Sequence, residues 1–156
     1  MDTVAAGASW ENDGVEPRIS LITLGVADLA RSCRFYRDGL GLPTTRSPED
    51  GIVFFQTSGA VLALFPYGEL AADIGPGWNV PRSKFAGIAL AHNVRERHHV
   101  DQLLAQAAAA GAQVVTPAGQ TAWGGYHGYF TDPDGYLWEV ASGAFEFNDD
   151  GSLRVT

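Results

Sequence analysis

The side chains able to do chemistry crowd into one stretch, residues 123–141, WGGYHGYFTDPDGYLWEVA. It carries Trp123, His127, Tyr129 and Glu139. Glu139 falls on a strand whose alternation sets Leu137, Glu139 and Ala141 on one face and Tyr136, Trp138 and Val140 on the other. A carboxylate between two apolar neighbours either faces solvent or serves as a general base or a seat for a cation. His127 has the residue type for proton transfer near neutral pH, and also the type of an ordinary surface or core-satisfied histidine. His127 and Tyr129 share one strand face, and Tyr126 and Phe130 share the other. Alternation alone does not say which pair points inward. Trp123, ahead of Gly124 and Gly125, is placed to stack on a ligand or to close a cleft mouth.

The elements that must hold these residues follow from pattern. Residues 123–141 read as strand, turn and strand, with Asp132, Pro133, Asp134 and Gly135 supplying turn chemistry. Upstream, 19–26 (ISLITLGV) is a strand, and Asp28 is a helix N-cap. Leu29, Cys33, Tyr36 and Leu40 recur at helical spacing, closed by Gly39 and Gly41. Residues 42–46 read as an edge strand containing Pro43, and 52–57 and 60–65 as a hairpin. Residues 67–83, rich in Gly and Pro, show no clear period and form a linker or a cover over a cavity, with Trp78 tacking the segment down. A second series opens with a small-residue strand at 86–91. A helical stripe of Val100, Leu103, Leu104 and Ala107 follows, then a short strand at 113–116 and a loop at 117–122. His98 and His99 are adjacent and cannot share a helical face, so they read as surface residues. The tail 142–156 contains a turn at Asn148-Asp149-Asp150-Gly151.

The order strand, helix, three strands therefore occurs twice, and residues 54–64 echo residues 129–140 with one residue inserted in the turn. Two runs sharpen the pattern: Val26, Asp28, Leu29, Phe35 and Tyr36 in VADLARSCRFY, and Asp132-Pro133-Asp134-Gly135 with Glu139 in DPDGYLWE. On these runs the chain resembles the vicinal oxygen chelate superfamily, which includes glyoxalase I, bleomycin-resistance proteins and extradiol dioxygenases. The resemblance spans residues 19–141. It implies an α+β fold in which two βαβββ units form a cupped eight-stranded mixed sheet around a cleft. The units are 18–67 and 84–141, joined by 68–83 within a domain of 18–141, with a flexible acidic tail at 1–17 and a C-terminal tail at 142–156.

In metal-dependent members of the family four inward side chains bind a divalent ion. Those positions fall here on Leu21, Ala63, Gly87 and Glu139, of which Glu139 alone can ligate; one carboxylate does not hold Zn²⁺ or Mg²⁺. The expected cleft is lined by Leu21, Thr23, Ala63, Phe65, Gly87, Ala89 and Leu137 around Glu139, with Trp123, His127 and Tyr129 nearby. Small, mostly apolar side chains around one polar group leave room for a ligand, unless larger neighbours fill the space.

Composition narrows the partners. The chain has 156 residues, a globular 46% hydrophobic content and a formal net charge of −8. Its ten Lys and Arg residues are scattered, against a nucleic-acid or anionic-membrane partner. A neutral or cationic small molecule fits better. Cys33 is the sole cysteine, read as a small buried apolar residue, so no disulfide framework exists. Residues 1–17 lack the basic start and apolar core of a secretory signal, which together with the cysteine usage reads as cytoplasmic. Two functions remain open. One is a metal-free protein that binds a cationic or aromatic molecule, built as a homodimer. The other is an enzyme of lyase, isomerase or dioxygenase type, using Glu139 as a base or a metal site not visible in the sequence. Protein purified from metal-supplemented cells is expected to carry no stoichiometric divalent ion; about one Zn, Ni, Mn or Fe per chain by elemental analysis would overturn that expectation.

Overall fold

The computed structural model describes residues 17–154, so the acidic tail expected at 1–17 lies, apart from Pro17, outside the described residues. Strand β1 (Leu21–Val26) ends at Asp28, whose carboxylate accepts a 2.9 Å hydrogen bond from the Arg31 N–H and caps α1 (Leu29–Arg34). The helix then widens into a π-turn, Phe35–Gly39, closed by the Leu40 N–H donating to the Phe35 carbonyl at 2.9 Å. Gly39 is required at its end, because a Cβ there would lie 2.4 Å from the Cβ of Ala110. Residues 42–46 run extended beside β2 (Val53–Phe55) but form no ladder. Pro43 has no N–H to give, and the pairing reduces to Gln56 N–H on the Pro43 carbonyl at 3.0 Å and the Thr44 hydroxyl on the Phe54 carbonyl at 2.6 Å. Strand β3 (Val61–Pro66) lies between β1, to which it is parallel, and β2, to which it is antiparallel.

The segment read as patternless from residue 67 opens with a helix, α2 (Tyr67–Ile74). Tyr67, Leu70, Ala71 and Ile74 do recur at helical spacing, but Gly68 and the glycines after Ile74 obscured the short run. The second unit holds β4 (Ala89–Asn93), α3 (Arg97–Ala109), β5 (Gln113–Gln120), β6 (Tyr126–Thr131) and β7 (Leu137–Ser142). Their sheet has the order β4-β7-β6-β5, with β4 parallel to β7 and the rest antiparallel. Strand β5 runs on through the expected loop at Pro117, by way of two register shifts that absorb the proline. Gly87 precedes β4 with φ of +78°, in a bend and not on the strand face assigned to it from sequence. Beyond β7 a hairpin, β8 (Glu146–Phe147) and β9 (Leu153–Arg154), brackets the expected turn at 148–151. The α+β class is thus observed; the second unit has the expected strand, helix and three strands, whereas the first has two ladder strands after its helix in place of three. Among the described residues no helix is long and apolar enough to cross a membrane.

One face of each sheet builds a single core. Leu24, Val26, Leu62 and Leu64 of the first sheet meet Phe130 and Val140 of the second through Phe35, Tyr36, Val100 and Leu104. Phe130 and Trp138 stack with rings 3° from parallel, and Phe35 stands edge-on to Tyr36 at 5.0 Å. The units are also tied by polar groups. The Asp134 carboxylate accepts from the Ala27 N–H (2.8 Å), the Ser32 hydroxyl (2.6 Å) and the Arg31 guanidinium (3.2 Å). The Asp132 carboxylate accepts from the Tyr36 hydroxyl (2.5 Å) and from the N–H groups of Asp134 and Tyr136. Trp138 Nε1 donates to the Tyr36 oxygen at 3.0 Å, and the Tyr136 hydroxyl donates to the Gly25 carbonyl at 2.8 Å. The two sequence runs singled out above therefore meet in space.

Replacing Asp134 by Ala strips the buried Ser32 hydroxyl and the Ala27 N–H of their acceptor. The expected loss is about 2–3 kcal/mol of unfolding free energy in urea; an unchanged transition midpoint would show that the turn does not clamp the units together.

Candidate functional site

The faces turned away from this core carry the candidate site residues. In the second sheet, pairing aligns Ala89 with Leu137, Ala91 with Glu139, Tyr129 with Glu139 and His127 with Ala141. His127 and Tyr129 thus share the face of Glu139, which settles the choice that alternation left open; Phe130, from the other face, is 1% exposed in the core. Trp123 sits at the edge of the same face, ahead of β6.

Two of these groups are bonded. Nδ1 of His127 lies 2.7 Å from Oε1 of Glu139, and each side chain is 25% exposed. With the carboxylate as acceptor, Nδ1 carries the proton and the neutral tautomer leaves Nε2 as the unprotonated nitrogen. Nε2 has no protein partner among the described residues. The ring stands edge-on between Tyr129, at 5.2 Å between centroids, and Trp123, at 6.2 Å. Burial and then the neighbouring Glu139 charge push the Tyr129 phenol above its usual range. Trp123 is half exposed, and its indole lies over Gly125 and Gly143, where a Cβ would meet the ring at 1.9 and 2.8 Å. Phe145 backs it at 5.9 Å. The glycines are what let the ring lie flat there.

Around the pair the face is small-sided: Ala89 and Ala91 are exposed and leave it open, while Ala141 is covered. At its Leu137 end stands a cavity of about 680 Å³, walled by Leu137, Thr131, Gln113 and Val115 and by residues 82–85, where the connection runs into the second unit. The connection is therefore a cover. Its anchor is not Trp78, which is 59% exposed. Arg82 holds it instead, with its guanidinium 3.9 Å over the Tyr136 ring and bonded to the Asp134 carbonyl, while the Tyr67 hydroxyl bonds the Val80 carbonyl.

The first-unit candidates lie apart from this group. Thr23 pairs with Ala63 and Gly25 with Phe65 on the three-stranded sheet, which shares no hydrogen-bonded strand with the other. Ala63 is fully covered, whereas Leu21 is 44% exposed. The structure joins His127, Tyr129, Trp123, Leu137, Ala89 and Glu139 on one face, keeps Leu21, Thr23, Ala63 and Phe65 on a second, and leaves Gly87 on neither. Ala91, which alternation along the strand sets on the same side as Ala89, lies directly beside Glu139. Among the described residues no group of three or more His, Cys, Asp or Glu able to hold a metal ion occurs, and His127 and Glu139 bond each other.

Comparison with known proteins agrees with the architecture. Residues 18–140 match the profile of the Glyoxalase/Bleomycin resistance protein/Dioxygenase superfamily. A glyoxalase-related enzyme from Fulvimarina pelagi has a solved structure with 37% identity and a TM-score of 0.80, over 90% of this chain and 99% of that one. Lactoylglutathione lyase from Agrobacterium tumefaciens aligns at 25% identity and a TM-score of 0.62, over 83% and 96%. A family enzyme from Burkholderia phytofirmans, at 18% identity and a TM-score of 0.70 over 80% and 98%, shares the fold. No curated protein matches. The chain belongs to the Glyoxalase/Bleomycin resistance protein/Dioxygenase superfamily.

If the Glu139 charge acts on Tyr129 as this geometry requires, Glu139→Gln lowers the Tyr129 phenol pKa. An ultraviolet titration of tyrosinate, differenced against Tyr129→Phe, reads the shift; an unmoved titration would separate the two groups.

Proposed function

We propose that this chain binds a small molecule bearing an aromatic or cationic group on the open face of the second sheet, without a bound metal, in the cytoplasm. The observation that carries the reading is the His127–Glu139 pair set among Trp123 and Tyr129 on an otherwise small-sided surface. The carboxylate and the imidazole are each 25% exposed, so the pair sits in partly desolvated surroundings. A cation or a hydrogen-bond donor is favoured there, and the flanking rings supply faces for stacking. The negative charge of the whole chain works in the same direction.

A second reading is favoured by one geometric fact. The 2.7 Å bond from Nδ1 fixes the ring and turns the unpartnered Nε2 away from Glu139. A histidine oriented by a carboxylate is the arrangement of a general base, so an enzyme that moves a proton without a metal is the alternative. A homodimer is part of the proposal: Leu21 and Val115, and Phe85 and Ile88 just ahead of β4, are apolar and 44–69% exposed, and a second copy would cover them.

A thermal-shift screen of amphipathic cations and aromatic metabolites is expected to give hits. A ligand at a hundred times its dissociation constant adds about 2.7 kcal/mol, or several degrees in a domain of this size. Glu139→Gln should weaken cationic hits more than about tenfold while the fold is kept. Turnover of a hit that is lost in His127→Ala, with binding retained, would establish the enzyme instead. If neither variant changed binding or turnover, the site would lie elsewhere. Light scattering at micromolar concentration should give twice the 16.6 kDa of one chain.

A further inference from the structure

Ser32, Asp132 and Ser142 are the polar side chains buried among the described residues. The first two belong to the clamp between the units. The Ser142 hydroxyl, on a residue 3% exposed, has no protein partner among the described residues. A buried hydroxyl without a partner weighs against the fold unless something else supplies one. Ser142 lies on the same side of β7 as Val140, whose side chain packs in the core with Val100 and Leu104 of α3. Its hydroxyl therefore points toward α3, away from the His127–Glu139 pair.

In front of it is a cavity of about 580 Å³, bounded by Ser142 and Gly143, by Gly124 and Gly125, and by residues 95–98 at the start of α3. This 13-residue helix begins without a side-chain cap, since Glu96 makes no such bond. The His99 N–H is taken by the Glu96 carbonyl at 3.1 Å, which leaves the N–H groups of Arg97 and His98 without acceptors at the positive end of the helix dipole. Arg95 and Arg97 lie over the rings of Phe147 and Tyr126, at 4.5 and 5.7 Å, and neither is bonded to a carboxylate among the described residues. Glu96 is the one acidic residue on the wall, against Arg95, Arg97 and His98. In a chain of net charge −8, this is a local excess of donors and positive charge.

We propose that the cavity binds the phosphoryl group of a small phosphate ester. A tetrahedral dianion accepts from several directions at once, as two guanidinium groups, two backbone N–H groups and a buried hydroxyl demand; a planar carboxylate has too few oxygens for that set. The volume leaves room for an organic remainder beside the phosphoryl group.

Isothermal titration of the full chain with inorganic phosphate, phenyl phosphate and acetate tests this. Saturable one-to-one binding of phosphate is expected, tighter for phenyl phosphate and absent for acetate. Ser142→Ala, which removes only an unpartnered hydroxyl and should leave the circular dichroism spectrum unchanged, should weaken phosphate by about fivefold. Arg97→Gln should weaken it by about tenfold or more, and Glu139→Gln, on the other side of β7, should not change it. Absence of saturable heat with both phosphates would overturn the proposal. So would acetate binding as well as phosphate does, or parent-like binding by both Ser142→Ala and Arg97→Gln.

Discussion

The shared core of this molecule is clamped on its polar side by one four-residue turn, Asp132 to Gly135. Its two carboxylates face the beginning of the first unit. Asp134 holds the corner between β1 and α1, and Asp132 holds the Tyr36 hydroxyl at the π-turn. Burial first, and then the neighbouring Asp134 charge, push the Asp132 carboxyl above its usual range, against the pull of the hydrogen bonds it accepts. The turn thus carries an electrostatic cost, offset by three donors and by the aromatic packing of Tyr36 with Phe55 and Trp138. The π-turn follows from the same demand. It carries Tyr36 into the interior and brings Gly39 against Ala110, so the helix of one unit seats on the end of the helix of the other.

Because the clamp and the shared core use one face of each sheet, the other faces are released. The carboxylate–imidazole pair sits on such a face, fixed by a rigid sheet and not by a loop. Trp123 borders it, lying on glycines whose missing side chains make the space. The connection between the units is secured to the clamp by Arg82, so the cover over the Leu137 end depends on the same turn.

Much of this was legible in the sequence. The N-cap at Asp28, the stripe of α3, the hairpin built on the Asp-Pro-Asp-Gly turn and the doubled order of elements all rest on local chemistry that a linear reading captures. The side chains around Glu139 were named as well. What escaped was set by contacts distant in sequence. The shared face of His127 and Glu139 depends on the register between β6 and β7, and alternation within one strand does not give register. The displacement of Gly87 from β4 reflects where pairing with β7 begins, at Ala89 opposite Leu137. The helix α2 is short and flanked by glycines, so its period was too brief to stand out, and Pro43 withheld the donor that a ladder at 42–46 needed. The anchoring role of Arg82 has no local signature at all.

The division of each strand between a packed face and a free one also bears on how such a chain can change over generations. Leu64, Val140 and Phe130 are constrained by volume, and their truncation opens a cavity in a core common to both units. Ala89 and Ala91, on the opposite side, touch no such core, and larger or polar side chains there would extend into open space. Mutational drift at these positions can reshape what the surface recognises with little penalty to folding. An architecture of this kind lets ligand preference diverge between descendants while the scaffold is inherited unchanged.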